Sequence, residues 1–438
     1  MERYAMYLKR KKLSPSLSLS AVQTDTFKTE TLSVSIVTPT DRKQSPASLL
    51  ALSILKRGTQ KYKMQQEINL RLDELYATSI SLKTQRLGNA NILGFVAEML
   101  CEAYTDGKTD VFGGTLDVIA EMLFHPLQEE NGTFLAPYIE SEKNNQCDAI
   151  EAQINNPRAY AAMRCREIMF AGDPYGVNLL GKTEEIRALN AKELAACYHD
   201  LIGSYRYEIF YIGPRSIENV EKYLKEYILP YIKQETYREV VQTVAPDEVS
   251  EIRRVTEDMP LAQGKLSLGF RTGVNLQSPD FYAMLVMNEI YGGSPVSKLF
   301  MNVRERLSLC YYCSSSYDIV KGALFVSSGI SPQNKPMAER EILKQLDEIK
   351  CGKVTTAELE AAKHSLCNSY RALADSPALL EGYYFCRGEL LVDCTIEECM
   401  ERIRDVVLDD VIRVAAGVTL DTVYFLNGNG GENEDGID

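Results

Sequence analysis

Histidine is scarce in this sequence. Only His125, His199 and His364 occur among 438 residues, spaced too widely to form a local ligand pair. A hydrolytic zinc site needs about three N, O or S ligands plus an open position for water, and no short motif here supplies them. His199 and His364 fall in helical runs and His125 precedes a proline in "FHPLQ", which are ordinary structural settings. So few histidines also leave nothing to select a Ser-His-acid triad. The chain has no GxSxG elbow, no P-loop and no GxGxxG after a strand, and so lacks the usual signatures of esterases and nucleotide-binding enzymes. No run of about 18 uninterrupted apolar residues occurs, so no bilayer-spanning segment and no membrane partner are expected. No apolar run follows the basic residues Lys9 to Lys12, as a secretory signal would require. Close cysteine pairs are also rare: of eleven cysteines only Cys310 and Cys313 form a CxxC. Without a second pair or a nearby histidine this is a weak zinc signal. On a regular strand, moreover, residues three apart face opposite sides. Scattered thiols in a large chain suit a reducing cytoplasm, where most act as small buried hydrophobes.

The composition is that of an ordinary folded chain, 45% hydrophobic and 25% charged. A net charge of −13 argues against nucleic acid or anionic membrane as the main partner. The local exception, "KRKK" at Lys9 to Lys12, reads as a solvated face. The length implies two or more domains.

The sequence repeats itself. Residues 32–58, "LSVSIVTPTDRKQSPASLLALSILKRG", and 266–293, "LSLGFRTGVNLQSPDFYAMLVMNEIYGG", each open with period-two alternation. Leu32, Val34 and Ile36 in one and Leu266, Leu268 and Phe270 in the other predict half-buried strands. Each then reaches "QSP", a capping hydroxyl before a proline at the first helical position. Each predicted helix closes on glycine, Gly58 or Gly292, expected to supply a left-handed cap. The ends of the halves also correspond, as "LNAKELAACYHDLIGSYRYEIFYIGP" (189–214) and "LDDVIRVAAGVTLDTVYFLNGNG" (408–430) both read helix, strand, glycine turn. The expectation is an α+β chain of two homologous domains, 1–235 and 240–438, each a mostly antiparallel sheet with helices packed on one face. A polar join lies around "QETYREVVQTVAPDEVSE", and the acidic, glycine-rich tail "NGNGGENEDGID" reads as disordered. A repeat at half-chain length is a duplicated domain, not a solenoid.

From residue 45 onward the first half resembles the pitrilysin/insulinase zinc peptidases. These inverzincins carry H-x-x-E-H on a helix and a more distant glutamate ligand. The family commonly reads like "HFLEHMLFKGT" there, and this chain reads "LLALSILKRGT" (49–59). The likeness continues in "EINLRLDELYATSI" (67–80), "GDPYGVNLLGKTEEIRALNAKELAACYHDLI" (172–202) and "YGGSPVSKLFMNVRERLSLCYYCSSS" (291–316), and so covers nearly the whole chain. It implies a duplicated metalloprotease fold of the LuxS/MPP type. On this alignment the histidine ligands fall on Leu49 and Ser53, the general-base glutamate on Leu52, and the distant ligand on Ala149. None of these can replace the family's residue, and a leucine accepts no proton from water at any pH. The run 46–57 is apolar on nearly all sides and predicts a buried core helix. No catalytic residue, metal or cofactor is therefore expected.

Family enzymes also present an arginine and a tyrosine seven residues apart, in a pattern like "REKRGLAY". Here "RERLSLCY" keeps both as Arg304 and Tyr311, with Arg306 and Tyr312 as near neighbours. In the family this pair faces the zinc and holds the substrate backbone. The resemblance therefore implies substrate-binding roles for Arg304 and Tyr311, in a subunit whose zinc-bearing homologous partner carries the catalysis on a peptide or protein substrate. Within the family the chain most resembles inactive bacterial members associated with 5-aminopentanol modification of elongation factor P. The alternative is a non-proteolytic binding or scaffold protein on an inactive peptidase fold.

Overall fold

The computed structural model describes residues 8–244 and 249–428. The first half of the chain gives β1 (Leu8–Ser14), β2 (Leu17–Gln23), β3 (Thr29–Pro39), α1 (Gln44–Ile54), α2 (Gln65–Glu74), β4 (Ser79–Leu87) and β5 (Ala90–Leu100). It continues with α3 (Val111–Phe124), α4 (Ala136–Glu151), α5 (Pro157–Met169), α6 (Thr183–Ala188), α7 (Ala191–Ser204), β6 (Arg206–Gly213) and α8 (Ile217–Tyr227). The second half opens with β7 (Arg253–Met259), β8 (Gly264–Arg271) and α9 (Phe281–Asn288), then two π-helical stretches, Glu289–Gly293 and Leu299–Arg306. It closes with β9 (Cys310–Asp318), β10 (Ala323–Ile330), α10 (Lys335–Lys350), α11 (Thr356–Ala372), α12 (Pro377–Glu389), α13 (Ile396–Asp405), α14 (Leu408–Ala416) and β11 (Thr419–Gly428). The acidic tail expected to be disordered lies outside the described residues from 429 onward, as do residues 245–248 of the polar join. No helix of the described residues is long and apolar enough to cross a membrane.

The chain forms two compact units. One comprises the residues up to Ala152, Val177–Gln242 and Pro377–Phe385; the other comprises Gln153–Gly176, Thr243–Ser376 and the residues from Cys386. Relative to a division at 235–240, two segments change sides. They are equivalents in the repeat: α5 follows "NP" (Asn156, Pro157) after α4, and α12 follows "SP" (Ser376, Pro377) after α11. The second unit thus takes α5, and the first unit takes the Pro377–Phe385 part of α12, from the other half of the sequence.

The first unit is built on a six-stranded sheet ordered β1-β2-β6-β3-β5-β4, antiparallel except for the β2–β6 pair. The alternation in β3 directs Leu32, Val34 and Ile36 into a core shared with Phe95 of β5, Leu50 and Ile54 of α1, and Ile119 of α3. Gly94 lets β5 lie against β3, because a Cβ there would stand 2.0 Å from Val34 O. The second face of β3 is not open to water as the alternation predicts, for Ser33 and Ser35 are fully buried too. There Ser33 Oγ donates to the Glu381 carboxylate of α12, which also pairs with Lys83. The basic run along β1 is partly neutralised, Arg10 by Glu208 at 2.8 Å and Lys11 by Glu221.

The second unit repeats the plan with a five-stranded sheet, β7-β11-β8-β10-β9, antiparallel except for β7–β11. Leu266, Leu268 and Phe270 are fully buried, as their alternation predicts. On the other face Ala161 and Cys165 of α5 pack against Tyr424 and Leu426. Helix starts are set by capping boxes, such as Thr355 with Glu358 at α11. Gly58 and Gly292 do not adopt left-handed backbone. They are needed for close approach instead, a Cβ at Gly58 meeting Lys63 O at 2.6 Å and one at Gly292 meeting Ser315 N at 2.6 Å. Nor does Ser45 cap α1, since Asp41 Oδ1 takes the Lys43 and Gln44 N–H groups.

Candidate functional site

The helix that would carry the zinc motif is α1, and it packs against α4 in the first unit. Leu52 has no solvent exposure, and Leu49 is buried beside it. Ser53 Oγ donates to Leu49 O at 3.0 Å, so its hydroxyl proton is committed to its own helix. Ala149 is exposed on α4. Polar contacts hold α4 here: Gln146 Nε2 donates to Pro46 O of α1 at 3.2 Å, and Arg57, beyond the end of α1, pairs with Glu142. Two leucines, an alanine and one engaged hydroxyl form no donor set for zinc. Among the described residues no group of three or more His, Cys, Asp or Glu is placed to hold a metal ion. His199 and His364 are exposed on α7 and α11, and His125 sits edge-on against Tyr231 at 4.9 Å.

Arg304 and Tyr311 are brought together in the second unit. Both line an open cavity of about 430 Å³, with Glu305, Ser308, Leu309, Cys310, Ser331 and Asn334. Arg304 lies in the last turn of a π-helical stretch, a widened turn that recurs at functional sites, and Tyr311 lies at the start of β9. Between them Ser308 adopts φ +51, where an L-residue other than glycine is uncommon. The family pattern "REKRGLAY" carries glycine at this position.

The neighbours are engaged elsewhere. Arg306 pairs with Glu341 of α10 at 3.7 Å, whereas Arg304 pairs, among the described residues, with the adjacent Glu305 at 3.5 Å and lies over the Phe300 ring. Tyr312 is half-buried with the Arg158 guanidinium 4.2 Å from its ring centre, and burial pushes its hydroxyl pKa up to about 12. Tyr311 is 61% exposed. That exposure has a register cause. Ile330 pairs with Cys310 and Gly329 with Tyr312, so Tyr311 is the extra residue of a β-bulge.

The same bulge overturns the expectation that Cys310 and Cys313 face opposite sides. One added residue shifts the alternation by one, and the two thiols meet in a hydrogen bond. Cys310 is the more acidic thiol, lowered by the Cys313 bond, a Ser328 bond and the Arg304 charge, while Cys313 is raised. Sequence reasoning missed the bulge, and also missed that Ser331 and Asn334, beyond β10, complete the cavity.

The chain thus combines a duplicated α+β fold with an α1 helix whose side chains offer no donor set for zinc. A family model described as the peptidase M16 inactive domain matches residues 188–366. The probable inactive metalloprotease YmfF of Bacillus subtilis (strain 168) is 28% identical over 415 residues, covering 95% of this chain and 96% of that protein. A conserved protein from Enterococcus faecalis V583 is 27% identical, with TM-score 0.87 over 96% of this chain and 98% of that one. A peptidase M16 inactive domain from Pseudomonas fluorescens is 17% identical and shares the fold, with TM-score 0.77 over 96% and 98%. Over nearly its whole length the chain is thus similar to a protein described as a probable inactive metalloprotease, and over residues 188–366 to the peptidase M16 inactive domain.

Proposed function

We propose that this chain is the non-catalytic, substrate-binding subunit of a heterodimeric zinc metallopeptidase in a reducing cytoplasm. The observation that carries the reading is the shared cavity, in which Arg304 and Tyr311 face solvent while their neighbours serve packing. A guanidinium and a phenol both donate hydrogen bonds to a carbonyl oxygen as it gains charge, and such donors are worth about 3 kcal/mol each in a transition state. The zinc and the general base come from a homologous partner. β9, with a ladder partner on one side only among the described strands, is where an extended peptide adds to the sheet. The likeness to members associated with elongation factor P modification names one candidate substrate for the complex.

The test is a pull-down of the tagged chain from its native host, followed by turnover assays on what it recovers. A near-stoichiometric homologue bearing H-x-x-E-H is the expected result. Arg304→Ala and Tyr311→Phe should each slow peptide turnover about 100-fold without loosening assembly. Recovery of the chain alone, or unchanged turnover in both variants, would replace this reading with that of a binding protein on an abandoned peptidase scaffold.

A further inference from the structure

A second cysteine pair lies well away in sequence from the Arg304 cavity, at the start of α13. Thr395 caps this helix in a reciprocal box: Glu398 N donates to Thr395 Oγ1 at 3.2 Å, and Thr395 N to Glu398 Oε2 at 2.8 Å. In such boxes the residue before the cap commonly packs on the fourth helical residue, and here both positions are cysteine, Cys394 and Cys399. The two thiols are in hydrogen-bond contact, and both are buried.

Their surroundings differ from the apolar pockets that keep structural cysteines inert. The Tyr282 hydroxyl of α9 lies 3.2 Å from Cys394 Sγ, and Arg387 Nη2 of α12 lies 3.8 Å from Cys399 Sγ. Tyr370 of α11 hydrogen-bonds to Cys399, and Arg402 of α13 stands 5.5 Å from the Tyr282 ring centre. The described groups in contact with the pair include two phenols and the Arg387 guanidinium, with Arg402 behind Tyr282 and the carboxylates of Asp280, Asp405 and Asp410 lining a cavity beyond. Tyr282 and Arg402 also line this open cavity of about 470 Å³, so one side chain, Tyr282, separates Cys394 Sγ from that cavity. The Cys399 hydrogen bond, then Tyr282 and the two arginines, lower the Cys394 pKa to about 6, while Cys399 is raised.

We propose that Cys394 and Cys399 form a thiol-modification site that reacts with small disulfides of the glutathione type. The Cys394 thiolate attacks one sulfur of the disulfide, that S–S bond breaks, and the first thiolate leaves with the proton released by Cys399. The Cys399 thiolate then attacks Cys394 Sγ, the mixed S–S bond breaks, and the second thiolate leaves and takes from solvent the proton that Cys394 had released to it. The small disulfide is reduced to two thiols, and the protein dithiol is oxidised to one intrachain disulfide. This site is independent of the peptide-binding reading of Arg304 and Tyr311.

The experiment treats the full chain with glutathione disulfide, blocks remaining thiols with N-ethylmaleimide and maps the peptides by mass. The Cys394–Cys399 disulfide should form at least about tenfold faster than any adduct on exposed Cys351. Cys399→Ser should stop at a mixed disulfide on Cys394, and Cys394→Ser should give neither product. In Cys399→Ser, Tyr282→Phe should slow adduct formation at neutral pH without preventing it. The wild-type rate should be half-maximal near pH 6, flat above it. Modification of Cys351 with Cys394 untouched in both wild type and Cys399→Ser would overturn the proposal, as would a rate still climbing toward the ordinary thiol value near 9.

Discussion

Leu52 falls where the resemblance to zinc peptidases would put a general base, and it is wholly enclosed by the core. Restoring a carboxylate there would bury it without a partner, which costs several kcal/mol. Leu52→Glu should therefore destabilise the chain by at least about 3 kcal/mol in urea unfolding, and dialysis against zinc should not recover the loss. Ser308 makes the opposite case, a polar residue in a backbone conformation that suits glycine. Ser308→Gly should stabilise by up to about 1 kcal/mol, and Ser308→Val should destabilise by about 1–2 kcal/mol, since left-handed backbone is hardest on branched side chains. Lys321 is a third kind of residue, fully buried yet satisfied. Its Nζ donates to both Asp173 carboxylate oxygens, at 3.1 and 3.0 Å, and to Thr243 O at 2.9 Å. Burial, only partly opposed by Asp173, lowers its pKa below 10.5, so the unfolded chain holds this proton to higher pH than the folded one. The stability difference between wild type and Lys321→Met should then shift in favour of wild type as pH rises from the folded value toward 10.5. A flat difference across alkaline pH would contradict this.

At the scale of elements, much was legible because period and spacing are local quantities. Leu32, Val34 and Ile36, and their counterparts in β8, point inward as their alternation requires. The repeat located both sheets, and the departure from H-x-x-E-H is visible in three residues of α1. What escaped depends on partners distant in the chain. The burial of Ser33 needs Glu381, and nothing in "LSVSIV" announces a helix beginning at Pro377. The bulge at Tyr311 is a mismatch between two strands, visible only when β9 and β10 are laid side by side. Without it, period-two reasoning sends Cys310 to the wrong face. The pairing of Arg306 with Glu341 is equally non-local, although it separates Arg306 from Arg304. Close approach is testable here as well. Gly94→Ala would press a methyl group into Val34 O and should cost about 3 kcal/mol through displaced strands, read as a lower urea midpoint.

For the whole molecule, the exchange of α5 and α12 has a direct consequence for dissection. Fragments cut at the join, 1–242 and 243–438, each lack a helix that their own sheet buries against. Expressed alone, neither should give a sharp two-state urea transition, whereas co-expression should restore one. Cooperative unfolding of the isolated 1–242 fragment at the wild-type midpoint would show that α12 adds nothing to the first unit.

The same exchange sets a timetable for synthesis. Domains generally fold as they leave the ribosome, the N-terminal one first, at roughly 5–20 residues per second. Here the first unit is incomplete until Pro377–Phe385 has been made, so it must wait roughly 10–30 seconds after its own sequence has emerged. Throughout that interval Ser33, Ser35 and Lys83 lie on an uncovered sheet face. Early folding of this protein is therefore a problem of custody, and a chaperone that shields one sheet until a late helix arrives would govern its yield more than any single contact in the finished fold.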